Sequence, residues 1–210
     1  MNTPRIPLET LEQRDFMSIK QDEDHLLAQA ELKQETIMEQ ILEHPLIDQS
    51  TLTSMTFIGD SFSRLELTDV ILKNCTLANC DFEGASVFRV TLENCKLVGT
   101  TFDHAVLKEV TFQDCDLSLT NFNEAKMSDV DLVGSKMAEL NCMGSTLKKF
   151  HVIDCNLNEA DFADTPLKQI DLSTCQFDSL RVTERELRGC RLNETQAAYF
   201  AQQFLGVDLA

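Results

Sequence analysis

The residues of this chain that most invite a chemical reading are its eight cysteines and four histidines. Thiolates and imidazoles are the usual ligands of zinc and the usual nucleophiles and bases of covalent catalysis. The cysteines are Cys75, Cys80, Cys95, Cys115, Cys142, Cys155, Cys175 and Cys190. No two of them make a C-x-x-C pair, and metal-ligand spacing is absent. His25, His44, His104 and His151 have no serine, cysteine or aspartate partner at a diagnostic spacing, and the last two take outward positions that read as solvated surface. No glycine-rich phosphate loop is present. The expectation is a protein that is not an enzyme, with no catalytic residue, no metal ligand and no cofactor.

The cysteine positions instead expose the frame that holds them. From Leu52, every fifth residue is apolar through Phe57, Phe62, Leu67 and Leu72 to Leu192, 29 positions without insertion or deletion. A period of five fits neither the helix (3.6) nor the strand (2), so a repeat architecture is indicated. The residue two before the apolar centre is usually small, as at Cys80, Ala85, Cys95, Thr100 and Ala105. Seven of the cysteines fall there, and Cys142 takes a large position, so the thiols read as small hydrophobes filling a core. Glycines such as Gly59, Gly84 and Gly99 all take the last place of a pentad, a turn role. Near Cys142 the volumes are exchanged, with Leu140 and Phe150 at positions that are otherwise small.

Identity also recurs at twenty residues. Phe62, Phe82, Phe102, Phe122 and Phe162 form one column, broken only by Cys142, and Val70, Val90, Val110 and Val130 another. Like side chains twenty apart imply stacking, hence four pentads per coil and a square-sectioned solenoid of about seven coils. At ~4.8 Å per coil the rod is roughly 34 Å long.

Three segments follow. Residues 1–49 comprise a polar arm (1–21, with Pro4 and Pro7) and an N-terminal helix from Asp22 to Glu43. Leu27, Ala30, Ile37, Met38 and Ile41 supply that helix's spacing, and Pro45 ends it. Residues 50–192 are the β-helix, with a soft boundary because Leu42 and Ile47 already fall in register. Residues 193–210 form a C-terminal helix opened by Asn193 and closed near Gly206. Its Phe200, Phe204 and Leu205 serve either as a cap on the last coil or as a dimer contact.

With 18 basic and 35 acidic residues, net charge −17, the chain would be repelled by nucleic acid and anionic membrane, and should favour basic partners. The start shows no secretory signal and no apolar run spans a membrane, so a cytoplasmic protein is expected. Three faces are acidic. The phenylalanine face carries Asp81, Glu83, Asp103, Glu124, Asp161 and Asp164, the residues expected to bind a partner. The fourth face is mildly basic, with Arg89, Lys108, Lys126, Lys148, Lys149, Lys168 and Arg188 against five acids.

Pentads such as Cys80-Asp81-Phe82-Glu83-Gly84 and Ala160-Asp161-Phe162-Ala163-Asp164 resemble the pentapeptide-repeat family, whose fold is a right-handed quadrilateral β-helix. The stretch from Asn94 to Phe102 and the ending from Asn193 to Phe200 are similar to the gyrase-interacting Qnr and MfpA group, in particular its loop-free, enterococcal-type members. That resemblance implies a mimic of B-form DNA that binds DNA gyrase or topoisomerase IV and protects them from quinolones. It departs from several Qnr proteins in having no loop that interrupts the register. The alternative is a non-catalytic interaction scaffold unrelated to topoisomerases, with Phe88 and Val106 as its contact.

Overall fold

The computed structural model describes residues 3–208, so the first two residues of the arm and the last two of the C-terminal segment lie outside the described residues. It is a parallel β-solenoid of about seven turns, with short helices mostly at the C-terminus. One face stacks Leu26–Ala28, Leu46–Asp48, Glu66–Lys73, Ser86–Glu93, Val106–Gln113, Lys126–Val133 and Thr146–Ile153. Neighbours pair in parallel with a shift of twenty residues, as in Val70↔Val90 and Val90↔Val110. The eight-residue strands bend round a corner and supply the second face. The third begins with Thr36–Met38, Thr56–Ile58 and Thr76–Ala78. Bridges such as Asp81↔Thr101 and Asn121↔Asn141 make the fourth.

Corners are built by one backbone device. The last residue of every pentad from Gln29 to Gln169 lies in the left-handed region, and only five of these corners are glycine. Left-handed backbone is costly for most side chains but tolerated by asparagine and aspartate, which recur here at Asp69, Asn74, Asn79 and Asn94. At Gly99 a β-carbon would collide with Asn79 Oδ1 from the coil before, so glycine is required by space as well as by φ.

The coils begin earlier than Ser50. The segment from Asp22 to Glu43, expected to be a helix, forms strands Leu26–Ala28, Ala30–Lys33 and Thr36–Met38. Its large buried residues are Leu27, Leu32, Ile37 and Leu42, at five-residue spacing, with Ala30 buried at a small inward position, whereas Met38 and Ile41 of the supposed helical face are 50% and 76% exposed. The acidic run at its start makes a turn, with Asp22 Oδ1 accepting the amides of Asp24 and Leu26.

The arm is likewise ordered. Arg5 N–H donates to Asp69 Oδ1 at 2.9 Å, and Glu12–Gln13 pairs with Ala30 and Glu31. A 3₁₀ helix, Phe16–Gln21, then drops Phe16 and Ile19 onto the first coils. The Phe16 ring meets Phe57 at 5.0 Å and Phe62 at 5.5 Å, extending the aromatic column of Phe62, Phe82, Phe102 and Phe122. At the other end, the Asn193 side chain accepts from Gln196 N–H to open helix Glu194–Leu205, and Gly206 closes it in the left-handed region. Gln196 Nε2 donates to the carbonyls of Leu172 and Cys175, satisfying acceptors that the last coil would leave open. Leu140, Cys142 and Phe150 are all buried, as the exchange of volumes requires, and the void they line is about 10 Å³.

One buried group is out of keeping with the core. Asp60 occupies a small inward position and is 1% exposed; its Oδ1 accepts from Gln40 N–H, while Oδ2 has no hydrogen-bond partner among the described residues. Burial raises its pKa. In the same column Thr100 and Thr120 donate their hydroxyls to Leu77 O and Leu97 O.

Two outcomes follow for stability. Truncating Phe16→Ala removes the N-terminal plug and should cost about 3–5 kcal/mol by denaturant unfolding, with amide protection lost first in the coils before Phe62. Asp60 carries a raised folded pKa, so its contribution is most favourable below the unfolded carboxyl pKa and is lost as pH rises through the folded one. Asp60→Thr should therefore raise the melting temperature at pH 7, with a gap to the parent that narrows toward pH 4.

Candidate partner-binding face

The six acidic residues singled out above do share one face. Asp81 and Asp161 stand in the same column, joined through bridges at Thr101, Asn121 and Asn141. Four coils separate them, about 19 Å at ~4.8 Å per coil. Glu83 and Asp103 sit one coil apart in the column beside them, and Glu124 and Asp164 occupy left-handed corners two coils apart.

Their side chains divide into two kinds. Asp81 Oδ1 accepts Glu83 N–H, Asp161 Oδ1 accepts Ala163 N–H, and Asp103 Oδ1 accepts Asn123 N–H one coil on, each at 2.9–3.0 Å. These three carboxylates are half-buried and hold backbone. Glu83, Glu124 and Asp164 are exposed. Glu124 has His104 Nδ1 at 3.5 Å, and Asp161 has the Arg181 guanidinium at 3.8 Å.

The acidic surface is not continuous. Between Glu124 and Asp161 the face is neutral, made of Asn121, Asn141 and the 43%-exposed Met143. Asn141 Nδ2 donates to Asn121 Oδ1 at 2.8 Å and Asn123 Oδ1 accepts Met143 N–H, so this middle section is tied coil to coil.

Pairing across coils is the general rule of the charged surface, and sequence reading missed it. Lys73–Glu93, Lys149–Asp129, His151–Asp131 and Arg191–Asp171 all lie twenty residues apart, at 2.6–3.1 Å. The deepest pair is Arg89 with Asp69, whose carboxylate is 4% exposed: Nε donates to Oδ1 at 2.7 Å and Nη2 to Oδ2 at 2.5 Å. Hydrogen bonding to Arg89 holds the Asp69 carboxyl below its usual range. Arg89 also lies 3.8 Å from the centre of the Phe88 ring, which is half-buried, while Val106 is 46% exposed. The twenty-residue spacing was the available signal for these pairs.

At the C-terminus, Phe200 is buried and meets Phe177 at 5.9 Å. Phe204 stacks on Phe200 at 5.4 Å and is half-buried, whereas Leu205 is 69% exposed.

The cysteines are free thiols, all buried but Cys190. Cys75, Cys95 and Cys115 donate Sγ–H to the carbonyls of Leu52, Leu72 and Leu92. Burial pushes the Cys80 thiol up to about 11 and Cys142 up to about 12, which leaves little thiolate for nucleophilic attack at neutral pH. Among the described residues no group of three or more histidine, cysteine or acidic side chains could hold a metal ion, and no helix is long and apolar enough to cross a membrane.

Residues 85–150 match the family model described as a pentapeptide repeat region. No curated protein sequence matches the chain. Among solved structures, a trypsin-treated variant of QnrB1, a plasmid-mediated fluoroquinolone resistance protein, is 17% identical with a TM-score of 0.41, over 84% of this chain and 99% of that one. HetL, a pentapeptide repeat protein involved in heterocyst differentiation regulation from the cyanobacterium Nostoc sp. strain PCC 7120, is 14% identical with a TM-score of 0.41, over 80% of this chain and 90% of that one. The pentapeptide repeat region matched by the family model lies at the centre of the chain, and the same five-residue register continues through parallel coils on both sides of it.

Proposed function

We propose that this protein binds DNA gyrase or topoisomerase IV in place of DNA, through its phenylalanine face, and protects those enzymes from quinolones. The observation that carries the reading is the ordered acidic face on a rod: carboxylates at Asp81, Glu83, Asp103, Glu124, Asp161 and Asp164, held in register along one side. Proteins contact duplex DNA largely through regularly spaced backbone phosphates. A stiff array of carboxylates offers a basic groove the same sign of charge without bases to read. Net charge of −17 supports steered encounter with such a groove. The sequence resemblance to gyrase-interacting proteins points the same way. In this reading the protein acts by occupancy and not by catalysis, and Leu205, exposed beside the capped end, is the part of the C-terminal helix free to meet a second copy.

The structure refines which residues to reverse. Asp81, Asp103 and Asp161 hold backbone amides, so Glu83→Lys, Glu124→Lys and Asp164→Lys change the charge with least effect on the fold. Purified gyrase should lose supercoiling activity, or regain it in the presence of ciprofloxacin, as the parent protein is titrated in. The triple variant should lose that effect by at least about tenfold. No effect of the parent on gyrase or topoisomerase IV, with or without drug, overturns the assignment and leaves a scaffold unrelated to topoisomerases. Full activity in the triple variant moves the contact to another face.

A further inference from the structure

Several basic side chains pair with an acid one coil away, as Lys73, Arg89, Lys149 and Arg191 do, and one strip departs from that pattern. On the face that runs through Leu107, Met127, Leu147 and Leu167, each of five successive coils carries an outward cation: Lys108, Lys126, Lys148, Lys168 and Arg188. Lys108 pairs in register with Ser128 and Ser128 with Lys148, while Lys126 lies beside Ser128. Gly189 then backs onto Lys168, with the place of its missing β-carbon 3.2 Å from Lys168 Cγ, which brings Arg188 to the head of the strip.

Among the described residues none of these five cations has an ion-pair partner. Several acids nearby are engaged elsewhere: Asp129 with Lys149, Asp69 with Arg89, and Glu186 with the Thr183 amide, while Glu109 beside Lys108 also acts on Arg89. Like charges on neighbouring strands destabilise a sheet. Apart from Lys108 Nζ, which lies 5.2 Å from the centre of the Phe88 ring, the strip gives the fold little, and it presents about 19 Å of positive charge without ion pairs of its own, one cation per ~4.8 Å.

Width decides what fits. The strip is a single face of the solenoid. Across one corner lie Asp131, Asp154 and Asp171, and across the other Glu124 and Asp164. A duplex ~20 Å wide, or a membrane plane, would overlie those flanking acids. An extended polypeptide occupies a lane of only ~4.8 Å, and its same-side residues repeat at about 6.7 Å, within reach of flexible lysine side chains. Val106, 46% exposed beside Lys126 in the same column, adds an apolar contact at the foot of the lane.

We propose that this strip is a docking lane for an extended acidic segment of a partner protein. The lane stands independently of the topoisomerase reading, because it uses a different face and the opposite charge. The probe is a fluorescein-labelled decaglutamate peptide, followed by anisotropy against the full chain. Saturable binding that weakens with salt is expected, and Lys126→Glu, Lys148→Glu and Lys168→Glu together should weaken it by at least about tenfold. Replacing the same three by arginine should preserve binding, as should Lys73→Glu with Lys136→Glu on other faces. The proposal is overturned if decaglutamate does not bind, if it binds the glutamate triple variant equally well, or if oligothymidylate, duplex DNA or phosphatidylserine vesicles bind more tightly through the same lysines. Gyrase activity of the glutamate triple variant, measured in parallel, should match the parent; its loss would merge the two faces into one site and overturn the separate lane.

Discussion

A backbone amide in the middle of this protein finds its carbonyl one full coil away. Leu77 N–H donates to Lys96 O at 2.7 Å, and Lys96 N–H donates to Cys75 O at 2.9 Å. The same bond recurs down the chain, at Leu97 to Asp116 and Leu117 to Lys136. These bonds exist only if the chain returns to the same place every twenty residues, and the rest of the structure answers to that requirement. It demands a left-handed corner at the end of each pentad, even where the residue is Arg89, Glu124 or Leu119. It demands two inward side chains per pentad of matched combined volume. It also makes the two ends special, since their amides and carbonyls have no coil beyond them. The amides of Glu12 and Arg14 meet Gln29 O and Glu31 O at one end and Gln196 meets Leu172 O at the other, while Phe16, Ile19 and Phe200 cover the open core.

Much of this was legible because the constraint is written into residue type. Stacked side chains choose like neighbours, so the phenylalanine and valine columns disclosed the coil length and the placing of the acidic face. The first coils were hidden for the same reason. At Glu35, Gln40 and Pro45 the small inward position holds residues that are not small, so the pentad loses its signature while its large positions, Ile37, Leu42 and Ile47, persist. Glu35 is there for another purpose: its carboxylate accepts Phe16 N–H at the start of the plugging helix. That need comes from a residue nineteen places away, beyond the reach of any local pattern.

The candidate face was legible as a set of positions but not as a set of roles. Register alone puts Asp81 and Glu83 on the same side. Whether a carboxylate turns back to hold an amide, as Asp81 does, or stands free, as Glu83 does, depends on the rotamer and on what the next coil offers. The same holds for charge. Arg89 counts as a cation in the sequence, yet Asp69 one coil earlier neutralises it, leaving the positive character of that face to the lysines further along.

Four-sidedness gives the molecule a phase. Removing a whole coil would shorten the rod and leave every remaining face aligned with itself. Removing one pentad would keep the inward pattern intact and still bury a core, but everything beyond the cut would rotate by a quarter turn. The acidic residues of the phenylalanine face would then continue into the lysine strip, and both surfaces would be interrupted without any loss of apolar packing. Such a chain could evolve in length only by steps of twenty residues if its surfaces are to be kept. The unbroken count from Leu27 to Leu192 is thus a property of the surface as much as of the core.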